Sequence, residues 1–185
     1  MRYLSIVVFA FILVPSPATA REPLTPRPLD PVAIEAFARA RAESALVRSL
    51  IATLESSNVI VHIVSSLGLP GGVGGTTQFV TSRGGHRYVR ITIAVDLSKT
   101  GRTAILGHEL QHACEIAASH ADDVESVGLL FARSGHRVGD NFETHAALDA
   151  ERQVRHEVKA ARAAATLRLR SGQALQAEPV VKFDH

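Results

Sequence analysis

From Val32 to about Ser56, apolar residues recur every three or four positions: Ile34, Phe37, Ala38, Ala42, Ala45, Leu46, Leu50 and Leu54, set among Arg and Glu. That spacing predicts an amphipathic helix. The period then shortens. Residues 58–64, NVIVHIV, are apolar and β-branched, as in a well-buried strand. Residues 76–82, TTQFVTS, are a second candidate strand. Residues 87–95 alternate, with Val89, Ile91, Ile93 and Val95 on one face and Tyr88, Arg90 and Thr92 on the other. Gly84-Gly85 between the last two predicts a hairpin turn. Helical spacing returns in three stretches, about 100–119, 121–133 and 141–166. The expected class is α+β, a small antiparallel or mixed sheet packed on helices.

The two ends of the chain break this pattern. Arg2 precedes the twelve-residue, mostly apolar run YLSIVVFAFILV, and PSPATA follows, ending in Ala18-Thr19-Ala20. A positive start, an apolar stretch and a small-x-small ending predict a secretory signal peptide over 1–20, cleaved after Ala20. Twelve residues span too little bilayer for an anchor, so no stable membrane anchor is expected after cleavage, and the destination is periplasmic or secreted. Residues 21–32, REPLTPRPLDPV, hold four prolines and predict an extended lead-in. The domain is then expected over 33–166, with a flexible tail over 167–185, since SGQALQAEPVVKFDH from Ser171 shows no sustained period.

Composition narrows the function. The 185 residues carry 20 Lys+Arg against 18 Asp+Glu. Loss of Arg2 with the signal peptide leaves a charge near +1, which gives no electrostatic case for nucleic acid. The local excess over 151–170, six basic and two acidic side chains, reads as a solvated helix face. The single cysteine, Cys114, excludes an internal disulfide, so an exported domain must rest on its core, with or without help from a metal. The stretch GLPGGVGG (68–75) lacks the Gly-Lys-Ser/Thr ending that reaches phosphate and Mg²⁺, so it is read as a flexible connector.

The candidate chemistry lies in AILGHELQHACEIAASH (104–120), where His108, Glu109 and His112 form an HExxH pattern. Residues four apart stack on one helix face a turn apart, so the two imidazoles can share one zinc ion. Glu109 lies about 100° around the helix, within reach of a zinc-activated water. Zinc lowers the pKa of that water, and a carboxylate can accept its proton during attack on a carbonyl.

HELQH following a strand resembles the zincin metallopeptidases, in which an antiparallel edge strand lies above the HExxH helix and holds the substrate backbone. The resemblance implies a zincin-like fold with the motif on a central helix, one zinc ion per chain and a peptide or protein substrate. The metzincin continuation, HExxHxxGxxH, fails because Glu115 and Ala118 occupy its glycine and last histidine positions. The gluzincin branch takes its third ligand from a glutamate on a later helix, which directs attention to DNFETHAALDAERQV (140–154). On a helical wheel Glu143 shares a face with Ala147, Ala150, Val154 and Ala161, whereas His145, Asp149 and Arg152 lie opposite. A carboxylate on an inward face needs a cation or strong donors, and Glu143 is the favoured ligand. The other reading makes it the last member of a capping box begun by Asp140.

Glu115 shares the face of both histidines and is expected to serve as an ion-pair or supporting group, because three ligands on one straight helix suit a tetrahedron poorly. Glu125 and Glu151 are expected at the surface, Glu151 paired with Arg155. Position 147, where the family often carries an acidic support for a histidine, is alanine here. A peptidase also needs a donor for the developing oxyanion. His136 is the first choice, with Arg137 and Tyr88 behind it. A zinc-stabilised binding module without turnover is the alternative to the enzyme.

Overall fold

The computed structural model describes residues 26–139 and 141–176. The expected signal peptide, the first part of the lead-in and residues 177–185 lie outside them. The described chain is α+β, with a small mixed sheet and five α-helices.

The end of the lead-in belongs to the fold. Residues Arg27–Pro28 (β1) pair in parallel with β2, Val59–Ser66. Asp30 then caps helix α1 (Pro31–Glu43), accepting from the backbone N–H groups of Val32 and Ala33 at 3.0 Å each. The same carboxylate accepts from Ser65 N at 2.6 Å and Ser65 Oγ at 2.8 Å, which fastens the helix start to β2.

The single helix expected over 32–56 is two. It breaks at buried Ser44, which ends α1 and caps α2 (Ala45–Glu55) by accepting from Val47 N at 3.1 Å. Serine favours this because its side chain replaces a helical backbone bond. Glu157, from the far end of the chain, accepts from Ser44 Oγ at 2.5 Å and Leu46 N at 3.2 Å.

Strands β3 (Gly75–Arg83) and β4 (His86–Ala94) form the expected hairpin, with Gly84 and Gly85 at φ +60° and +78°. That pair of positive values selects glycine. The strand order is β1-β2-β4-β3, parallel for the first two pairings and antiparallel for β3 on β4. β3 is therefore an antiparallel edge, with a register shift between Phe79 and Thr81. Val89, Ile91 and Ile93 point into the core beside Val59, Val61 and Ile63, all fully buried.

Against this sheet lies α3 (Lys99–Ala118), which also packs on α1, α2 and α5 and so is central. Its buried residues fall on every side, from Leu106 and Leu110 to His108, Glu109 and His112. After α4 (Val124–Ser134) a small hairpin pairs β5 (His136–Val138) with β6 (Asn141–Glu143). Helix α5 spans His145–Gln176, running beyond the expected end at 166, and turns Ala147, Ala150, Val154 and Val158 inward. At the crossing of α3 and α5, a Cβ on Gly107 would meet Val154 Cγ2 at 2.6 Å, so only glycine permits this approach.

Candidate metal centre

HExxH occupies the middle of α3, where the helix has no solvent face. His108, Glu109 and His112 are buried, at 5%, 4% and 6% exposure. Glu143 reaches them from a different element than expected. It ends strand β6, and the helix begins after it, at His145, with Thr144 Oγ1 accepting from Ala147 N at 3.1 Å. Threonine caps a helix in this way, so Glu143 is not the third residue of a capping box. Asp140 lies outside the described residues. Glu143 nonetheless faces inward and lines the cavity with the motif residues. The strand leads straight into the buried face of α5, and its last side chain is delivered to the same interior.

Single ligand atoms of His108, His112 and Glu143 all lie within 4.8 Å of one another. Glu143 Oε2 is 2.9 Å from His108 Nε2 and 3.9 Å from His112 Nε2. Glu143 Oε2 is buried and has no hydrogen-bond partner among the described residues, so the short approach to His108 lacks hydrogen-bond geometry. A tetrahedral ion with bonds of about 2.0–2.1 Å would separate its ligands by about 3.3–3.4 Å, between the two observed distances. Two imidazole nitrogens, one carboxylate oxygen and an orphaned buried lone pair make a donor set that fits zinc.

The rest of the cluster fixes ring orientation and charge. Glu115 Oε2 lies 2.8 Å from His112 Nδ1. An ionised carboxylate only accepts, so Nδ1 carries the proton and Nε2 is left to face the cavity. His108 Nδ1 is buried without a hydrogen-bond partner among the described residues, and Glu151 Oε2 stands 3.7 Å away. Glu151 also pairs with Arg155 at 2.5 Å, as expected, but its second oxygen faces the site. The acidic support absent at position 147 is thus approached from one helical turn later on the same face. Glu143 lies before the helix rather than in it, so counting four residues on from it missed Glu151.

Glu109 is held by the edge strand. Thr77 Oγ1 on β3 donates to Glu109 Oε2 at 2.7 Å. A Cβ on Gly75 would meet Glu109 Oε1 at 2.7 Å and Ile105 Cγ2 at 2.6 Å. Gly75 thus allows β3 to lie directly on the motif. The Gly-rich stretch does more than connect, because Gly74 and Gly75 at its end pack on α3.

Charges in the cluster follow from this packing. Burial pushes the Glu109 carboxyl up to about 7, against the opposing pull of His112 and the Thr77 hydroxyl. Burial alone would lower His112, yet its hydrogen bond to Glu115, the approach of the Glu143 carboxylate and the charges of Glu109 and Glu115 raise it to about 9. Burial and the neighbouring His112 charge lower His108. Glu143 is lowered by its contact with His112, with burial opposing.

The cavity has a volume of about 160 Å³. Its walls are Gly75, Thr76 and Thr77 on β3, the motif residues of α3, and Phe131, Phe142 and Glu143 opposite. His136, Arg137 and Tyr88 are not among them. His136 is exposed on β5, in register with Glu143, and its ring packs 5.7 Å from that of His145. Arg137 donates Nε–H to Gly139 O at 2.9 Å. The Tyr88 ring faces His62, with centroids 6.4 Å apart. The structure does not bring any of these three expected oxyanion donors into the cavity. Cys114 is packed as expected, its thiol 3.5 Å from Leu50 O and pushed up to about 12 by burial. Glu125 is exposed.

Comparison with models of known protein families, with curated proteins and with solved structures returned no match.

Proposed function

We propose that this protein is an exported, zinc-dependent peptidase of gluzincin type, with one zinc ion per chain held by His108, His112 and Glu143. The observation that carries the proposal is the convergence of those three ligand atoms within 4.8 Å, beside a buried Glu109 and beneath an antiparallel edge strand. The edge strand over the motif helix also supports the zincin-like reading of the fold. Export rests on the first twenty residues of the sequence.

A zinc ion there would supply Lewis acidity and a water of lowered pKa. Every other part is the chain's own. The outer edge of β3 offers unpaired backbone groups to an extended peptide, which aligns beside Thr76 and Thr77. Glu109 takes a proton from the attacking water and returns it to the leaving amine. A carboxyl raised toward neutrality by burial suits both steps. Phe131 and Phe142 line the opposite wall and limit water in the cavity.

The second reading, a zinc-stabilised binding module without turnover, is favoured by the placement of His136, Arg137 and Tyr88 outside the cavity. Zinc content of the purified protein, followed by cleavage of an unstructured protein substrate, decides between them. One zinc per chain and cleavage that disappears in Glu109→Gln with zinc retained is the expected result. One zinc with no cleavage by the wild type supports the module, and no zinc removes both.

A further inference from the structure

We infer that Glu115 and Thr144 act as a strap that sets His112 and Glu143 relative to each other, both serving as positioning residues for the metal. The inference rests on the zinc reading above. Glu115 stands three residues after His112 on α3 and spends both carboxylate oxygens within the protein. Oε2 lies 2.8 Å from His112 Nδ1, and Oε1 accepts from Thr144 Oγ1 at 2.7 Å. Thr144 immediately follows Glu143 and is only 3% exposed. Its hydroxyl is engaged in both directions, donating to Glu115 and accepting from Ala147 N at 3.1 Å. Its carbonyl accepts from Leu148 N at 3.1 Å.

A single carboxylate thereby joins the imidazole of one ligand to the backbone that delivers another. The ring plane of His112 and the start of α5 cannot shift independently without breaking one of these bonds. His108 lacks such a tie, since Glu151 stays 3.7 Å from its Nδ1. The half of the site formed by His112 and Glu143 is therefore arranged before metal arrives. Supporting groups of this kind typically govern metal affinity by 10–100-fold.

The test is zinc affinity by chelator competition, with the visible spectrum of the cobalt(II)-loaded protein as a reporter of coordination geometry. The proteins are the wild type, Glu115→Ala, Glu115→Gln, Thr144→Val, Thr144→Ser and the Ala/Val double variant, each checked for fold by thermal melting without metal. Glu115→Ala and Thr144→Val are each expected to weaken zinc about 10–100-fold and to alter the cobalt spectrum, while Thr144→Ser restores both. The double variant is expected to bind little worse than the weaker single, because both remove the same strap. Wild-type affinity in Glu115→Ala, or losses that simply add in the double variant, would overturn the strap and leave the zinc site standing. If Glu115→Ala does not fold, the Thr144→Val and Thr144→Ser pair and Glu115→Gln carry the test: equal affinity across them overturns the strap. Absence of zinc from the wild type overturns the parent reading and the strap with it.

Discussion

Helix α3 carries two buried polar clusters about two turns apart, and they are built on opposite plans. At its C-terminal end Arg87, 8% exposed, reaches in from β4. It donates to the carbonyls of Ile116, Ala117, Ser119 and Ala121 at 2.7–3.1 Å, and to Asn58 Oδ1 through Nε and Nη2 at 3.0 and 2.7 Å. A cation on the last carbonyls of a helix also answers its dipole. In the middle of the same helix, His108, His112 and Glu143 approach one another yet leave Glu143 Oε2 and His108 Nδ1 without hydrogen bonds among the described residues. The first cluster is closed in the sense that its guanidinium donors are spent within the protein. The second brings possible ligand atoms together and leaves polar capacity unmet, a pattern expected of a binding site rather than a strut.

The largest effect is expected at the closed cluster. Arg87→Ala strips partners from four carbonyls at and just beyond the helix end and from Asn58, and should cost about 3–5 kcal/mol of folding stability, read as a lowered denaturant midpoint. A loss under about 1 kcal/mol would show that solvent replaces the guanidinium and that the cluster is not closed. At the open cluster the balance reverses. Glu143→Ala should weaken zinc at least about 100-fold, close to 2.7 kcal/mol, while leaving the metal-free melting temperature near that of the wild type. Undiminished zinc binding would move the third ligand elsewhere.

A smaller effect is expected where the two helices that frame the site touch. Gly107→Ala places a Cβ against Val154 and should cost about 2 kcal/mol, with zinc affinity falling as α5 moves away from α3. Stability lost with zinc affinity intact would show that Glu143 is placed by its hairpin alone.

The smallest effect extends the comparison to a closed cluster of opposite charge. Asp30 accepts from Val32 N, Ala33 N, Ser65 N and Ser65 Oγ. Burial opposes its ionisation, but those bonds outweigh burial and hold the carboxyl below its usual value. A lowered folded pKa means stability present above about pH 3.9, the unfolded value, and lost as pH falls through the folded one. Asp30→Asn should cost about 1 kcal/mol at neutral pH and flatten this acid loss. An unchanged acid profile in the variant would assign the slope to other carboxylates.

Most elements and the HExxH histidines were readable along the chain because each depends on local spacing. HExxH is a one-turn relation on a helix, β4 a two-residue alternation, and Gly84-Gly85 a local turn. Glu143 was singled out by an inward-face argument that assumed a helix, whereas it ends a strand and Thr144 rather than Asp140 starts the helix. Other features were misread or passed over where one side chain serves two segments. Ser44 breaks a periodic helix because Glu157 meets it from 113 positions away. Arg87 sits in the inward series with Val89, Ile91 and Ile93, and that parity was the available signal that it is buried.

By itself, then, the sequence determined local relations: two histidines one turn apart on a helix face, a glutamate about 100° around from the first, and a later glutamate expected on an inward side. Only the tertiary structure decided that Glu115 turns to His112 and Thr144, that Glu151 faces His108, that Thr77 holds Glu109, and that His136 stays outside. The physical reason is range. Periodicity reports which way a side chain leaves its own backbone, whereas a hydrogen bond between elements depends on where two distant backbones cross. That crossing is set here by the close approaches at Gly75 and Gly107.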